Sequence, residues 1–142
     1  PTSGWVDYLR DTFPMLWHVP IAFITGKTGK NLRMLLSHAQ MLYKQSRARI
    51  GTSELNRLVR WALELHQPPL HKNRRPKVYY ATQVATQPPT IVLMCNTPQA
   101  FAPDYQRYLL GVFRDQLSFG EVPIKLFLHR RGADDNRDDV GI

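Results

Sequence analysis

The stretch RRPKVYYATQVATQPPTIVLMCN, residues 74–96, decides how this chain folds. Within it, KVYYATQVAT (77–86) and PTIVLMCN (89–96) are rich in β-branched, aromatic and other apolar residues, and Gln87, Pro88 and Pro89 interrupt them. Apolar runs of this length bounded by turn residues read as two strands with a short connection. PIKLFLHR, from Pro123 to Arg130, reads as a third. Ahead of the strands, Leu55, Leu58, Val59, Ala62 and Leu65 repeat at the helical period. That helix reads as capped by Thr52, with Glu54 in the first turn, and stopped at Pro68 and Pro69. A second helix opens at Pro103, suited to a first turn, and presents Tyr105, Tyr108, Leu109, Val112, Phe113 and Gln116. Helix, strand, strand, helix, strand predicts a small α+β sandwich with a three-stranded sheet.

Strict alternation along these strands gives two faces. One holds Val78, Tyr80, Ile91, Leu93, Ile124, Leu126 and Leu128; the other holds Tyr79, Ala81, Val92, Met94 and Phe127. Both are substantially apolar, yet two helices cover only one face of a three-stranded sheet. The second face is therefore expected to meet the segment upstream or another domain.

Upstream, Ser3 to Phe13 reads as a helix with Trp5, Leu9 and Phe13 spaced by four, ended by Pro14. Pro20 to Ile24 has the continuous apolar character of a strand buried on both faces, and Leu32, Leu35, Leu36, Ala39 and Tyr43 stripe a following helix. Helix, buried strand, glycine turn and helix is the grammar of an open α/β sheet. One strand cannot make that sheet, so residues 1–48 read as a remnant of an α/β domain. A shift to basic and polar residues around Arg47 to Gly51 marks the boundary with a second unit, 49–131.

Between strand and helix lies FITGKTGKN (23–31), which looks like a phosphate-binding loop. Such a loop needs G-x-x-x-x-G-K-[ST], because a ring of backbone N–H groups must close around phosphate oxygens. Ile21 stands five residues before Gly26, and Asn31 follows Gly29 and Lys30 where a hydroxyl is required, so both registers fail. Gly26-Lys27-Thr28-Gly29 also satisfies the G-x-x-G clamp of KH domains, but that clamp joins two helices, and after residue 50 no glycine pair has the spacing.

Charge points to a polyanionic partner. Of 19 Lys and Arg and 11 acidic residues, the last eleven residues, GADDNRDDVGI, hold one Arg and four Asp, leaving 18 against 7 in the rest. The tail, 132–142, reads as acidic and disordered; it fails as a calcium loop because Asp139 stands where glycine is required. Single Cys95, in an apolar run, allows no internal disulfide and fits a reducing cytoplasm. Apolar runs long enough to cross a membrane are absent, and the opening Pro-Thr-Ser suggests a piece of something longer. His18, His38, His66, His71 and His129 lack metal-ligand spacing, and no nucleophile motif signals another kind of enzyme.

TSELNRLVRWALELHQPPL (52–70), residues 74–96, YQRYLLGVFRDQL (105–117) and VPIKLFLHRR (122–131) together resemble the bacterial ribosome-associated GTPases of the Der (EngA) family, in which two GTPase domains precede a KH-like domain. The resemblance implies that residues 1–48 end the second GTPase domain. It also places Thr25, Gly26 and Lys27 in the loop closing on the guanine base, with Thr-Gly replacing the usual Ser-Ala. GTP and magnesium belong to the parent, whose phosphate, switch, magnesium and main guanine motifs are not in this sequence, so this portion alone is expected to be inactive. The KH-like unit lacks the G-x-x-G clamp, as is usual in the family. Its expected partners are the large ribosomal subunit and its rRNA, through Arg47, Arg49, Arg57, Arg60, Lys72, Arg74, Arg75 and Lys77, and the GTPase domains, through the second sheet face. A stand-alone RNA-binding module and a purely structural adaptor between domains remain alternatives at this point.

Overall fold

The structure, a computed structural model, describes residues 1–132 and 140–141. The helices are α1 (Thr2–Thr12), α2 (Leu32–Ser46), α3 (Thr52–Leu65) and α4 (Pro103–Gln116). The strands are β1 (Val78–Ala85), β2 (Thr90–Cys95), β3 (Lys125–Arg130) and the two-residue β4 (Val140–Gly141). The expected α-β-β-α-β order is therefore present, with β4 added at the far edge of the sheet. The remaining tail residues, for which disorder was expected, lie outside the described residues.

β1 and β2 are antiparallel, whereas β2 and β3 run parallel, with Ile91 beside Leu126 and Leu93 beside Leu128. A parallel pair needs a crossover, and α4 supplies it. Leu55, Val59 and Ala62 of α3 and Tyr105, Leu109, Val112 and Phe113 of α4 close over Ile91, Leu93, Leu126 and Leu128 to form the core. α4 is also tied to the end of α3 by polar bonds. The Tyr108 hydroxyl donates at 2.7 Å to the Ala62 carbonyl, which also accepts the His66 N–H, and the Tyr105 hydroxyl donates at 2.6 Å to the His66 carbonyl, an acceptor that the helix end leaves open. Gly51, rather than Thr52, occupies the N-cap of α3, and no side chain caps it.

Simple alternation fails in β1. Val78 pairs with Cys95 and Tyr80 with Met94, so Tyr79 is an extra residue, a β-bulge. Residues 80–83 therefore change face, until a second irregularity between Gln83 and Ala85 restores the original alternation: Ala81, expected on the face away from the helices, lies opposite Leu93 and is fully buried under them. Tyr80, expected in the core, lies opposite Met94 on the face away from α3 and α4, which it shares with buried Val92 and half-buried Phe127.

The expected strand at 20–24 does not form. A strand needs a neighbouring strand to take its N–H and C=O groups, and within the described residues 20–24 pairs with none; the isolated bridge nearby, between Thr25 and Lys30, lies just beyond it. α1 and α2 form as the spacing predicted, but their apolar stripes are open, with Trp5 61% and Leu36 63% exposed. α2 meets the rest through its last turns. Gln45 and Glu121 exchange two hydrogen bonds, Leu42 packs against the core, and the Gln87 N–H donates to the Ser46 carbonyl at 2.7 Å.

β1 is an edge strand, and its outer side is occupied by side-chain amides. Asn56 of α3 accepts from the Ala81 N–H and donates to the Ala81 carbonyl, both at 2.8 Å. Gln83 accepts from the Ile50 N–H at 2.8 Å and donates to the Ala48 carbonyl at 2.9 Å. These contacts protect the edge and fix the boundary segment against it.

Candidate nucleic-acid interface

Between α3 and β1 the chain makes a two-residue hairpin. The His71 N–H donates to the Arg74 carbonyl at 2.9 Å and the Arg74 N–H to the His71 carbonyl at 3.0 Å, with Lys72 and Asn73 at φ of 49° and 61°. Left-handed backbone at both central residues is the geometry that matches strand twist, so Lys72 is presented at the tip of a formed turn rather than on a free loop. One residue on, the Arg75 guanidinium is braced by donating to the Pro68 carbonyl at 2.6 Å.

This hairpin walls a cleft of about 600 Å³. Lys72, Arg74 and Arg75 line one side, Asn96 and Thr97 come from the end of β2, and Arg130 comes from the end of β3. No Asp or Glu lines it, and none of its cations has an ion pair among the described residues, where Arg107 pairs with Asp104 outside the cleft. Asn96 also closes the strand pair, donating from its N–H to the Lys77 carbonyl and accepting the Lys77 N–H on its side chain. The result is a fixed concavity of cations and neutral donors, suited to phosphate oxygens.

All eight basic residues predicted from the sequence are exposed, but the structure does not gather them into one surface. Lys72, Arg74, Arg75 and Lys77 sit at the beginning of β1. Arg47 and Arg49 flank Ala48, which is bound to Gln83 near the other end of the strand. Five strand residues, roughly 17 Å, separate Val78 from Gln83. Arg47 leans back on α2, its guanidinium 5.6 Å from the Tyr43 ring centroid. On α3, Arg60 borders a smaller cleft with Val78, Tyr79 and Tyr80, whereas Arg57 lines neither cleft. Sequence reasoning missed Arg130, Asn96 and Thr97; the basic pair ending the third strand was the available signal.

Thr25, Gly26 and Lys27 are exposed in the turn closed by the Thr25–Lys30 bridge. Asn31, at φ 65°, anchors it by donating to the Phe23 carbonyl at 2.9 Å. The Gly26 and Lys27 N–H groups donate to no backbone carbonyl among the described residues. No group of His, Cys, Asp and Glu able to hold a metal occurs among those residues, and no helix there is long and apolar enough to cross a membrane.

Residues 49–129 match the family described as the KH-domain-like domain of EngA bacterial GTPase enzymes, C-terminal. The chain belongs to that family. The KH-like domain and the segment before it are together similar to the GTPase Der of Rhodopirellula baltica, 56% identical over 131 residues, which is 92% of this chain. Similarity to the GTPase Der of Geotalea daltonii is 39% over 126 residues, 89% of the chain, and to that of Lactobacillus delbrueckii subsp. bulgaricus 39% over 123 residues, 87% of it. The chain spans only 29%, 29% and 28% of these relatives' lengths. The resemblance read from the sequence is thereby borne out, and the first match leaves so few residues aside that it takes in most of 1–48 together with the KH-like domain.

Proposed function

We propose that this chain is the C-terminal region of a Der-type GTPase acting in the cytoplasm in assembly of the large ribosomal subunit. Residues 1–48 would end its second GTPase domain and 49–131 would form the KH-like domain, which binds rRNA and docks on GTPase domains. The observation that carries the RNA reading is the cleft of Lys72, Arg74, Arg75 and Arg130, four cations on a fixed frame with no carboxylate in the lining. Phosphates neutralised there release counterions, making affinity fall steeply with salt. Docking is supported by the sheet face away from α3 and α4, where exposed Tyr80 and half-buried Met94 and Phe127 lie around buried Val92. Tyr79 adjoins that face at the bulge, while Ala81 is withdrawn from it.

In the parent, GTP and magnesium would need partners outside this chain. In the turn at 25–27, the Gly26 and Lys27 backbone N–H groups could donate to the edge of a base, but two N–H groups do not make the ring that closes on phosphate, and N–H groups offer a metal no ligand. A bound nucleotide would then act by favouring one docked arrangement of the KH-like domain over another.

Co-sedimentation with large ribosomal subunits across a salt series tests the reading. The chain is expected to pellet at moderate salt, and Arg74→Glu with Arg75→Glu to remain in solution. Because Arg75 also braces Pro68, Lys72→Glu with Arg74→Glu is the control that leaves the loop intact. Equal pelleting of native and substituted chains, or failure of the native chain to pellet at any salt, overturns it.

A further inference from the structure

We propose that Tyr79, Tyr80 and Arg131 form a stacking platform for an unpaired nucleobase beside the basic cleft, so that this chain prefers single-stranded to double-stranded RNA. The inference rests on the RNA reading above and narrows it.

The bulge is the starting point. A regular strand turns one of two consecutive side chains inward, whereas here Tyr79 and Tyr80 are 44% and 46% exposed. Neither hydroxyl has a hydrogen-bond partner among the described residues, so neither ring is retained there to satisfy a buried polar group. The Arg131 guanidinium carbon lies 4.6 Å from the Tyr79 ring centroid. Arg131 is exposed, has no carboxylate partner among the described residues, and is placed by its N–H, which donates to the Cys95 carbonyl at 3.0 Å. Exposed rings and a guanidinium plane are the surfaces on which splayed bases stack.

Charge and position select the occupant. Arg60 lines the smaller cleft, about 290 Å³, beside both tyrosines, and no acidic residue lines it. An apolar protein segment would meet two cations with nothing to pair them, whereas a nucleotide brings a π face and a negative charge together. Pro76 lines the phosphate-suited cleft and Val78 the aromatic one. Two residues of strand, about 7 Å, separate them, on the order of one nucleotide of extended backbone. A duplex keeps its bases stacked within the helix and can use the cations only.

The test is fluorescence anisotropy of the full chain with labelled oligouridine and with an RNA duplex of equal length, across salt. Native protein is expected to favour the single strand. Tyr79→Leu with Tyr80→Leu is expected to weaken it roughly 5- to 150-fold per base stacked, with the salt slope and duplex affinity unchanged. Tyr79→Phe with Tyr80→Phe is expected to retain it. Circular dichroism confirms that the variants are folded. If the leucine variant binds oligouridine as the native chain does, or the duplex is preferred, the platform is refuted while cleft binding stands. If native protein binds neither RNA, this inference falls together with the reading beneath it.

Discussion

Replacing Asn56 by alanine removes the clamp on the outer edge of β1. Its amide accepts from the Ala81 N–H and donates to the Ala81 carbonyl, each at 2.8 Å, and Ala81 is fully buried. Deleting the amide leaves a buried donor and a buried acceptor without partners, at roughly 1–3 kcal/mol each. Alanine's better helix propensity returns about 0.5 kcal/mol. The net expected loss is about 2–5 kcal/mol, large against a total stability of roughly 5–15 kcal/mol. Urea unfolding followed by circular dichroism reads it as a lower midpoint at unchanged slope. Asn56→Asp separates the two bonds: its carboxylate still accepts from the N–H but opposes the carbonyl, and protonation restores a donor. Its deficit relative to the native chain should therefore shrink as pH falls. A loss under about 0.5 kcal/mol for Asn56→Ala would show that water reaches this edge and that the clamp is dispensable.

Gly120→Ala should destabilise by about 1–3 kcal/mol, because a Cβ there overlaps the Arg114 carbonyl; an unchanged melting temperature would mean that the loop yields freely. Burial pushes the Cys95 thiol up to about 11, with the Thr97 backbone partly opposing. Alkylation of the native chain at neutral pH should be slow and should open with denaturant, and labelling at the rate of an exposed thiol contradicts this. Since the folded value is the higher, the thiol's contribution is present at neutral pH and is lost as pH rises from 9 towards 11. His18 is displaced downward by burial, then by the charge of Arg114, with the Glu121 backbone opposing and Arg10 adding slightly. Its neutral form suits the fold, so stability should fall as pH drops below 6.5, and His18→Asn should flatten that part of the profile.

The KH-like domain was legible because its signals are local and agree. Pro103 opens α4, the apolar spacing of 55–65 marks the covered side of α3, and two prolines separate β1 from β2. Face assignment failed where one residue broke the period: nothing in VYYAT distinguishes a regular strand from one bulged at Tyr79, because the bulge is set by how Val78 and Tyr80 register on β2. The segment 20–24 carries the composition of a buried strand without a neighbour to make it one. Site residues were found by type, since arginines and lysines announce a polyanion surface. Their separation into clusters at opposite ends of β1 depends on the Gln83 contacts to residues 48 and 50, which no spacing rule exposes.

Tyr80 links the two surfaces proposed for this domain. It lies opposite Met94 on the face away from α3 and α4 and also borders the cleft beside Arg60. A domain seated on that face would cover Tyr80 and so remove part of the base platform, whereas the hairpin cations, at the end of the strand, would stay open. Docking and base stacking are then mutually exclusive, while docking and phosphate binding are compatible. A salt-dependent contact with RNA could thus form first through Lys72 and Arg74 and acquire base contacts only when the sheet face is released. That order couples domain position to the kind of RNA bound using a single shared side chain. It also predicts that Tyr80→Leu weakens single-strand binding in the isolated chain more than in a parent whose GTPase domain stays docked on the face.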